Sequence, residues 1–158
     1  MNRSKAIGTA AETAVVRASR ARGFPWADRV ALHGRSDVGD IYLCPGVIVE
    51  VKGGDWARKA SDTLIDDWLS ETERERINAG AAVGFLVVQR AAVGYANAHR
   101  WSAWWRMRNL MELVPHAGIP PQLQETPVRL TLETSLLLIR SGGYGTPLDP
   151  VVLWDELG

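Results

Sequence analysis

Residues 81–88 form a nearly continuous apolar run, and Gly84-Phe85-Leu86-Val87-Val88 within it has no polar alternation. A strand of that kind has no face to give to water, so it suits the buried centre of a sheet. Gly80 divides it from the longest helical candidate, residues 56–79, where Trp56, Ala60, Leu64 and Trp68 recur four apart. An earlier helix is expected over 5–22. There Ile7, Ala10, Ala11, Ala14, Val15 and Ala18 keep three- and four-residue spacing until Gly23 and Pro25 stop it. Between the two helices, Trp26 to His33 alternates at Val30 and Leu32 and then meets the turn-like Gly34-Arg35-Ser36-Asp37. Ile41–Cys44 and Val47–Val51 are short apolar runs split by Pro45-Gly46, a hairpin signal. Farther on, the spacing predicts a helix over 101–114, a strand over 128–132 and a helix over 133–140 ending at Gly142-Gly143. Helix, three strands, helix, strand and a mixed C-terminal part make a single mixed α/β domain over 1–158. Its core is expected at about 4–90 and its elaboration at about 91–158.

Composition narrows the class. With 158 residues, 46% of them hydrophobic, and no net charge, the chain can bury a real core and does not read as disordered. The longest stretch free of charge, residues 77–89, is 13 residues long, too short to span a bilayer. Met1-Asn2-Arg3-Ser4-Lys5-Ala6 does not lead into an apolar signal core. Cys44 is the single cysteine, so no intrachain disulfide can form and a reducing cytoplasm is the expected setting. The zero net charge conceals segregation: residues 1–35 carry a net of +5, residues 36–80 a net of −5, and 81–158 balance. An acid-rich segment that holds a divalent cation, flanked by basic surfaces, yields such numbers, as does a solvated acidic helix. Fifteen of the 18 basic residues are Arg, which draws attention to Lys5, Lys52 and Lys59.

Glu50-Val51-Lys52 is the sharpest local anomaly. Positions i and i+2 of a strand share a face, so Glu50 and Lys52 stand side by side at the end of a run that otherwise reads as buried. Charges are rarely buried unless paired or bound to metal. The hairpin then brings Asp40 opposite Val51, flanked by Glu50 and Lys52, if paired residue numbers sum to about 91. Two carboxylates and the Val51 carbonyl offer the hard oxygen ligands that Mg²⁺ or Mn²⁺ prefers. A lysine beside them can orient or deprotonate a water and offset charge on a phosphoryl oxygen. The plainer reading of Glu50 and Lys52 is a same-face ion pair on an exposed strand. Asp37, three residues before Asp40, competes for the metal role. Asp40 is preferred because Ile41-Tyr42-Leu43 continues directly as strand.

Asp40, nine residues, then Glu50-Val51-Lys52 resembles the Asp…Glu-x-Lys signature of PD-(D/E)XK nucleases. The element order also resembles the core of that superfamily, and Glu12 within Gly8-Thr9-Ala10-Ala11-Glu12 resembles the helix acid of its resolvase-like and exonuclease branches. The chain resembles archaeal-type Holliday junction resolvases and the similar small resolvase-like nucleases of actinobacterial phages. Arg35-Ser36-Asp37 resembles the polar segment ahead of their catalytic Asp. The residue before Asp40 is Gly39, where the motif has proline. The resemblance implies a restriction-endonuclease-like fold with added C-terminal helices. It also implies Mg²⁺-dependent phosphodiester hydrolysis that leaves a 5′-phosphate, in the host cytoplasm if the chain is phage-encoded. Asp40, Glu50 and the Val51 carbonyl would hold the ion, Glu12 would bind it through water or a second metal, and Lys52 would position the attacking water. The substrate implied is branched DNA, cut by a homodimer. The alternatives are a repair or recombination nuclease acting on single strands, flaps or ends, and a non-catalytic DNA-binding module of the same fold.

Phosphate contact is expected from basic residues in and after the first helix, chiefly Arg17, Arg20, Arg35 with Ser36, and beyond the third strand from Lys59. Arg22 and Arg29 belong to the same group. Glu71, Glu73 and Glu75 with Arg74 and Arg76 read as a solvated helix face. Trp56 and Trp68 read as core or dimer contacts. So do Trp101, Trp104 and Trp105 with Arg100, Arg106 and Arg108, direct DNA contact being the lesser reading. His33, His99 and His116 show no zinc-ligand spacing to one another or to Cys44.

Overall fold

The computed structural model describes residues 2–31 and 37–149. Helix α1, Arg3–Arg20, starts where the Asn2 side chain accepts a hydrogen bond from the Lys5 N–H at 2.8 Å. It buries Ala11, Ala14, Val15 and Ala18 and ends before Gly23, whose φ of +97° favours glycine. Arg20 then closes the turn, donating from Nε to the Ala27 carbonyl at 2.8 Å and pairing with Asp28. The first strand is shorter than the alternation over 26–33 predicts: β1 is Asp28–Arg29, and Trp26 is 83% exposed.

Strands β2, Ile41–Cys44, and β3, Val47–Val51 extended to Lys52, form the expected hairpin. Ile41 faces Val49 and Tyr42 faces Ile48, while Cys44 faces Val47 after a bulge. Paired numbers therefore sum to 90 along most of the hairpin, one less than expected. The crossover to β4, Val83–Val88, runs parallel to β3 and makes β4 fully buried, as its apolar run requires. The single helix expected over 56–79 is two helices, α2 at Asp55–Arg58 and α3 at Asp62–Asn78. Ser61 causes the break. Its extended backbone (ψ 162°) and its hydroxyl, which accepts from the Leu64 N–H, start a new helix one turn after the first has begun.

The C-terminal part corrects the sequence reading more strongly. Residues 101–114 are not one helix but strand β5, Ser102–Arg106, followed by the short helix α4, Met107–Met111. Strand β6, Pro127–Thr131, and helix α5, Leu132–Ser141, match the expected strand and helix. The region after residue 90 thus contributes two strands as well as helices. The sheet order is β1-β2-β3-β4-β5-β6, antiparallel except for β3 with β4. This is a mixed α/β architecture.

The two faces of the sheet carry different cores. Val49, Val51, Phe85, Val87 and Trp105 pack toward α1 and α5, with Phe85 and Trp105 rings stacked at 4.6 Å. Leu86, Val88 and Trp104 pack toward α2 and α3 with Ala57, Ile65 and Leu69. Strand parity therefore sends Glu50 and Lys52 to the α3 face.

Gly53 sets how close α1 comes to the end of β3. A Cβ there would sit 2.5 Å from the Ala11 Cβ. Gly53→Ala is expected to destabilise the chain by about 1–3 kcal/mol. Ala11→Gly in the same chain should recover part of that loss. Chemical denaturation of the two single variants and the double variant measures it, and additive losses would show that the contact is not the cause.

Candidate metal centre

Asp40 sits where β2 begins. Gly39 before it has a φ of +90°, which proline, locked near −65°, cannot adopt. The glycine in place of the motif's proline is thus a requirement of the local turn. The Asp40 N–H donates to the Val49 carbonyl at 3.1 Å, and Asp40 Oδ2 accepts from the Val51 N–H at 2.8 Å. A side chain thereby continues the ladder beyond the last backbone pair. In a strand the N–H and C=O of one residue point to the same edge, so the Val51 carbonyl is aimed at the Asp40 side of β3. Lys52 C=O accepts from the Gln89 N–H on the opposite edge, as that alternation demands.

Lys52 Nζ lies 2.9 Å from Glu50 Oε1 and 3.2 Å from Glu71 Oε1, and 5.8 Å from the centre of the Trp68 ring. Glu50 is 5% exposed, and its Oε2 is buried without a hydrogen-bond partner. Glu75 is 2% exposed, and both of its carboxylate oxygens are buried without one. The expected solvated face of α3 is therefore corrected. Ile65, Leu69, Thr72 and Glu75 are the buried stripe of α3, while Glu73 pairs with Arg76 at 2.6 Å and accepts from Asn109 at 3.0 Å. Among the described residues, the three-acid cluster whose ligand oxygens lie within 4.8 Å of one another is Asp37, Glu71 and Glu75. No histidine belongs to it.

Electrostatics follow from this crowding. Burial, then the Glu50 charge, pushes Asp40 up to about 8 despite the Val51 hydrogen bond. Burial, then the Glu75 carboxyl, pushes Glu50 up to about 8, with Lys52 acting against it. Burial, joined by the charges of Asp37, Glu71 and Asp40, pushes Glu75 up to about 7 against a hydrogen bond with the Glu50 carboxyl that lowers it. Burial alone would lower Lys52, but Glu50 and Glu71 outweigh it and hold the ammonium above its ordinary range. Lys52 is thus a fixed cation, suited to holding a water or an anionic oxygen and unsuited to removing a proton.

Glu12 reaches the rim from α1, on the other face of the sheet. Its Oε2 accepts from Arg29 Nε at 2.6 Å, and its charge contributes to raising Asp40. Asp40, Glu50 and Lys52 are therefore brought together, with Glu12 beside them. The expected phosphate-binding residues are not gathered here. Arg17 is exposed and lines a cavity of about 760 Å³ with Tyr95 and His99. Arg20 is committed to Ala27 and Asp28. Lys59 is exposed at the end of α2 beside Trp56, itself 76% exposed and so not a core residue. Arg35 and Ser36, like His33, lie outside the described residues. Arg106 is buried and pairs with Asp66 at 2.6 Å, so it serves the core. Trp101 and Trp105 are fully buried.

Asp40 and the buried Glu50, whose Oε2 meets no cation or amide donor among the described residues, stand against one another with the Val51 carbonyl on the same edge of β3, a donor set that fits a hard divalent cation. No family model, curated protein or solved structure matches the chain. Among the described residues, no helix is long and apolar enough to cross a membrane.

Proposed function

We propose that this chain is a divalent-metal-dependent DNA endonuclease of the PD-(D/E)XK type that cuts branched DNA in the manner of a Holliday junction resolvase. The observation that supports the reading is the pair of buried acids Asp40 and Glu50 set against one another at the end of β3, with the Lys52 ammonium 2.9 Å from Glu50 and the Val51 N–H on Asp40. Asp40, Glu50 and the Val51 carbonyl would hold Mg²⁺, with Mn²⁺ as a substitute, and Glu12 would bind it through water or a second metal. When bound, the ion supplies charge stabilisation at the phosphoryl group and lowers the pKa of water. Lys52, kept charged by Glu50 and Glu71, orients the attacking water and offsets charge that develops on the phosphoryl oxygen. Water attacks phosphorus in line as the bond from phosphorus to the 3′ oxygen breaks; the water gives up a proton to solvent and the departing 3′ oxygen takes one from solvent, so 5′-phosphate and 3′-hydroxyl ends remain. Symmetric cuts in two strands require two sites, which a homodimer with two-fold symmetry supplies.

The test is incubation with a labelled four-way junction and with linear duplex, single-strand and flap competitors, in Mg²⁺ or EDTA. Symmetric nicks near the branch point are expected in Mg²⁺ only, and Glu50→Ala should abolish them. Cutting of flaps or single strands instead would keep the site and replace the substrate. Junction binding without cleavage in either metal would leave a DNA-binding module.

A further inference from the structure

Asp40, Glu50 and the Val51 carbonyl do not use the acids of α3. We infer that Asp37, Glu71 and Glu75 form a second divalent-cation site next to the first, sharing the electrostatic field of Glu50. The inference rests on the metal-dependent reading above and adds an ion to it.

Geometry comes first. Glu71 and Glu75 are one helical turn apart on α3 and present their carboxylates on one side. Asp37 comes from the segment leading into β2. Its backbone carbonyl accepts from Asn78 Nδ2 at 2.9 Å, and its Oδ1 accepts from the Gly39 N–H at 3.1 Å. These bonds tie it to the C-terminal end of α3. The three side chains offer oxygens within 4.8 Å of one another, a spacing that one oxygen-ligated cation can bridge.

An acidic cluster on a surface would mean little. Glu75 is different, because it is 2% exposed, no cation, hydroxyl or amide among the described residues donates to either of its carboxylate oxygens, and its hydrogen-bonding neighbour is another acid, Glu50. A buried ionised carboxylate without a partner costs several kcal/mol, so native structures pair it, protonate it or place it on a metal. No cationic side chain approaches Glu75 among the described residues. Lys52 reaches Glu50 and Glu71 instead, and Arg76 turns away to Glu73.

At a pH where all five acids ionise, charge balance leaves room for two ions. Asp37, Asp40, Glu50, Glu71 and Glu75 are five carboxylates served by one ammonium, Lys52. Fully ionised, they lack four positive charges. One divalent ion leaves half of that deficit, and two divalent ions close it. Paired oxygen-ligated cations that share a carboxylate are a recurrent way to clamp a phosphoryl group. The second ion lies on the α3 side of Glu50, where it neutralises the acids that would otherwise repel phosphate.

The test counts bound Mn²⁺ by electron paramagnetic resonance and calorimetry at pH 8, in protein free of DNA. The wild-type chain should bind two ions. Glu75→Gln, which keeps the side-chain volume, and Asp37→Asn, at an exposed position, should each bind one. Asp40→Asn should lose the other ion and keep the one at α3. If Glu75→Gln does not fold, as circular dichroism will show, Asp37→Asn decides. A single wild-type ion that Asp40→Asn removes and Asp37→Asn and Glu75→Gln leave in place would overturn this inference and spare the nuclease reading. Two ions untouched by both α3-side variants would overturn it as well. A wild-type chain that binds no Mn²⁺ would overturn both.

Discussion

Lys52→Ala should cut junction DNA about 10²–10³-fold more slowly than wild type in Mg²⁺, with no loss of bound metal. The two readouts separate because Lys52 donates no ligand to a cation. Its ammonium contacts Glu50 and Glu71, both acids, and its removal makes the site more negative. Mn²⁺ affinity should therefore hold or rise while cleavage falls. Asp40→Asn should behave differently, since one ligand oxygen becomes an amide nitrogen, and both metal and cleavage should be lost. Lys52→Arg should not rescue. A guanidinium is planar and larger, and the pocket between Glu50, Glu71 and the Trp68 ring is shaped around a compact ammonium. The readouts are single-turnover cleavage and Mn²⁺ titration on matched protein. Cleavage by Lys52→Ala at the wild-type rate would remove the lysine from the chemistry.

How far the site can be read from the chain depends on parity and on which face a helix covers. The placement of Asp40, Glu50 and Lys52 is legible because it needs only a tight hairpin and the two-residue period of a strand. A register one residue away from expectation left the three residues neighbours, since Asp40 reaches the Val51 N–H with its side chain. Glu75 was misread because alternate acids mixed with arginines look like a solvated face. The signal that contradicts this lies in Ile65, Leu69 and Thr72. Their spacing of four and three residues continues, after another three, to Glu75, so the acid prolongs an apolar stripe. The segment over 101–114 failed for a different reason. Trp101, Trp104, Trp105 and Arg108 fit a helical period, yet Ala103 and Trp105 face one core and Trp104 the other, as a strand requires. Five residues cannot arbitrate between those periods, and pairing with both β4 and β6 decided in favour of the strand. Arg17 and Arg20 show that positive charge in the sequence does not locate a phosphate surface. One lines a separate cavity and the other closes a turn.

Without divalent cations, the chain should lose stability as pH rises, the reverse of the usual behaviour of proteins rich in ion-paired acids. Asp40 and Glu50 titrate at about 8 and Glu75 at about 7 in the folded chain, whereas unfolded carboxyls titrate near 4. Between about pH 4 and 8 the folded state therefore holds protons that the unfolded state has released. Stability then falls with pH, because the slope follows the protons bound by the unfolded state minus those bound by the folded one. The groups facing the three acids are Asp37, Glu71 and Glu12, which add negative charge, and Lys52, which stays protonated throughout the window. Each excess proton is worth about 1.4 kcal/mol per pH unit. Summed over the three acids this is about 8 kcal/mol between pH 5.5 and 8.5, so in EDTA the melting temperature should drop by roughly 15–35 °C. Glu50→Gln removes one of the raised carboxyls and should flatten the curve. Millimolar Mn²⁺ should offset part of the drop at pH 8.5 and do little at pH 5.5, since a ligand present at 100 times its dissociation constant stabilises by about 2.7 kcal/mol per site. Proton release on cation binding, read by calorimetry in buffers of different ionisation enthalpy, should be largest near pH 7. A melting temperature that is flat or rising from pH 5.5 to 8.5 in EDTA would mean that these carboxyls are ionised in the folded chain.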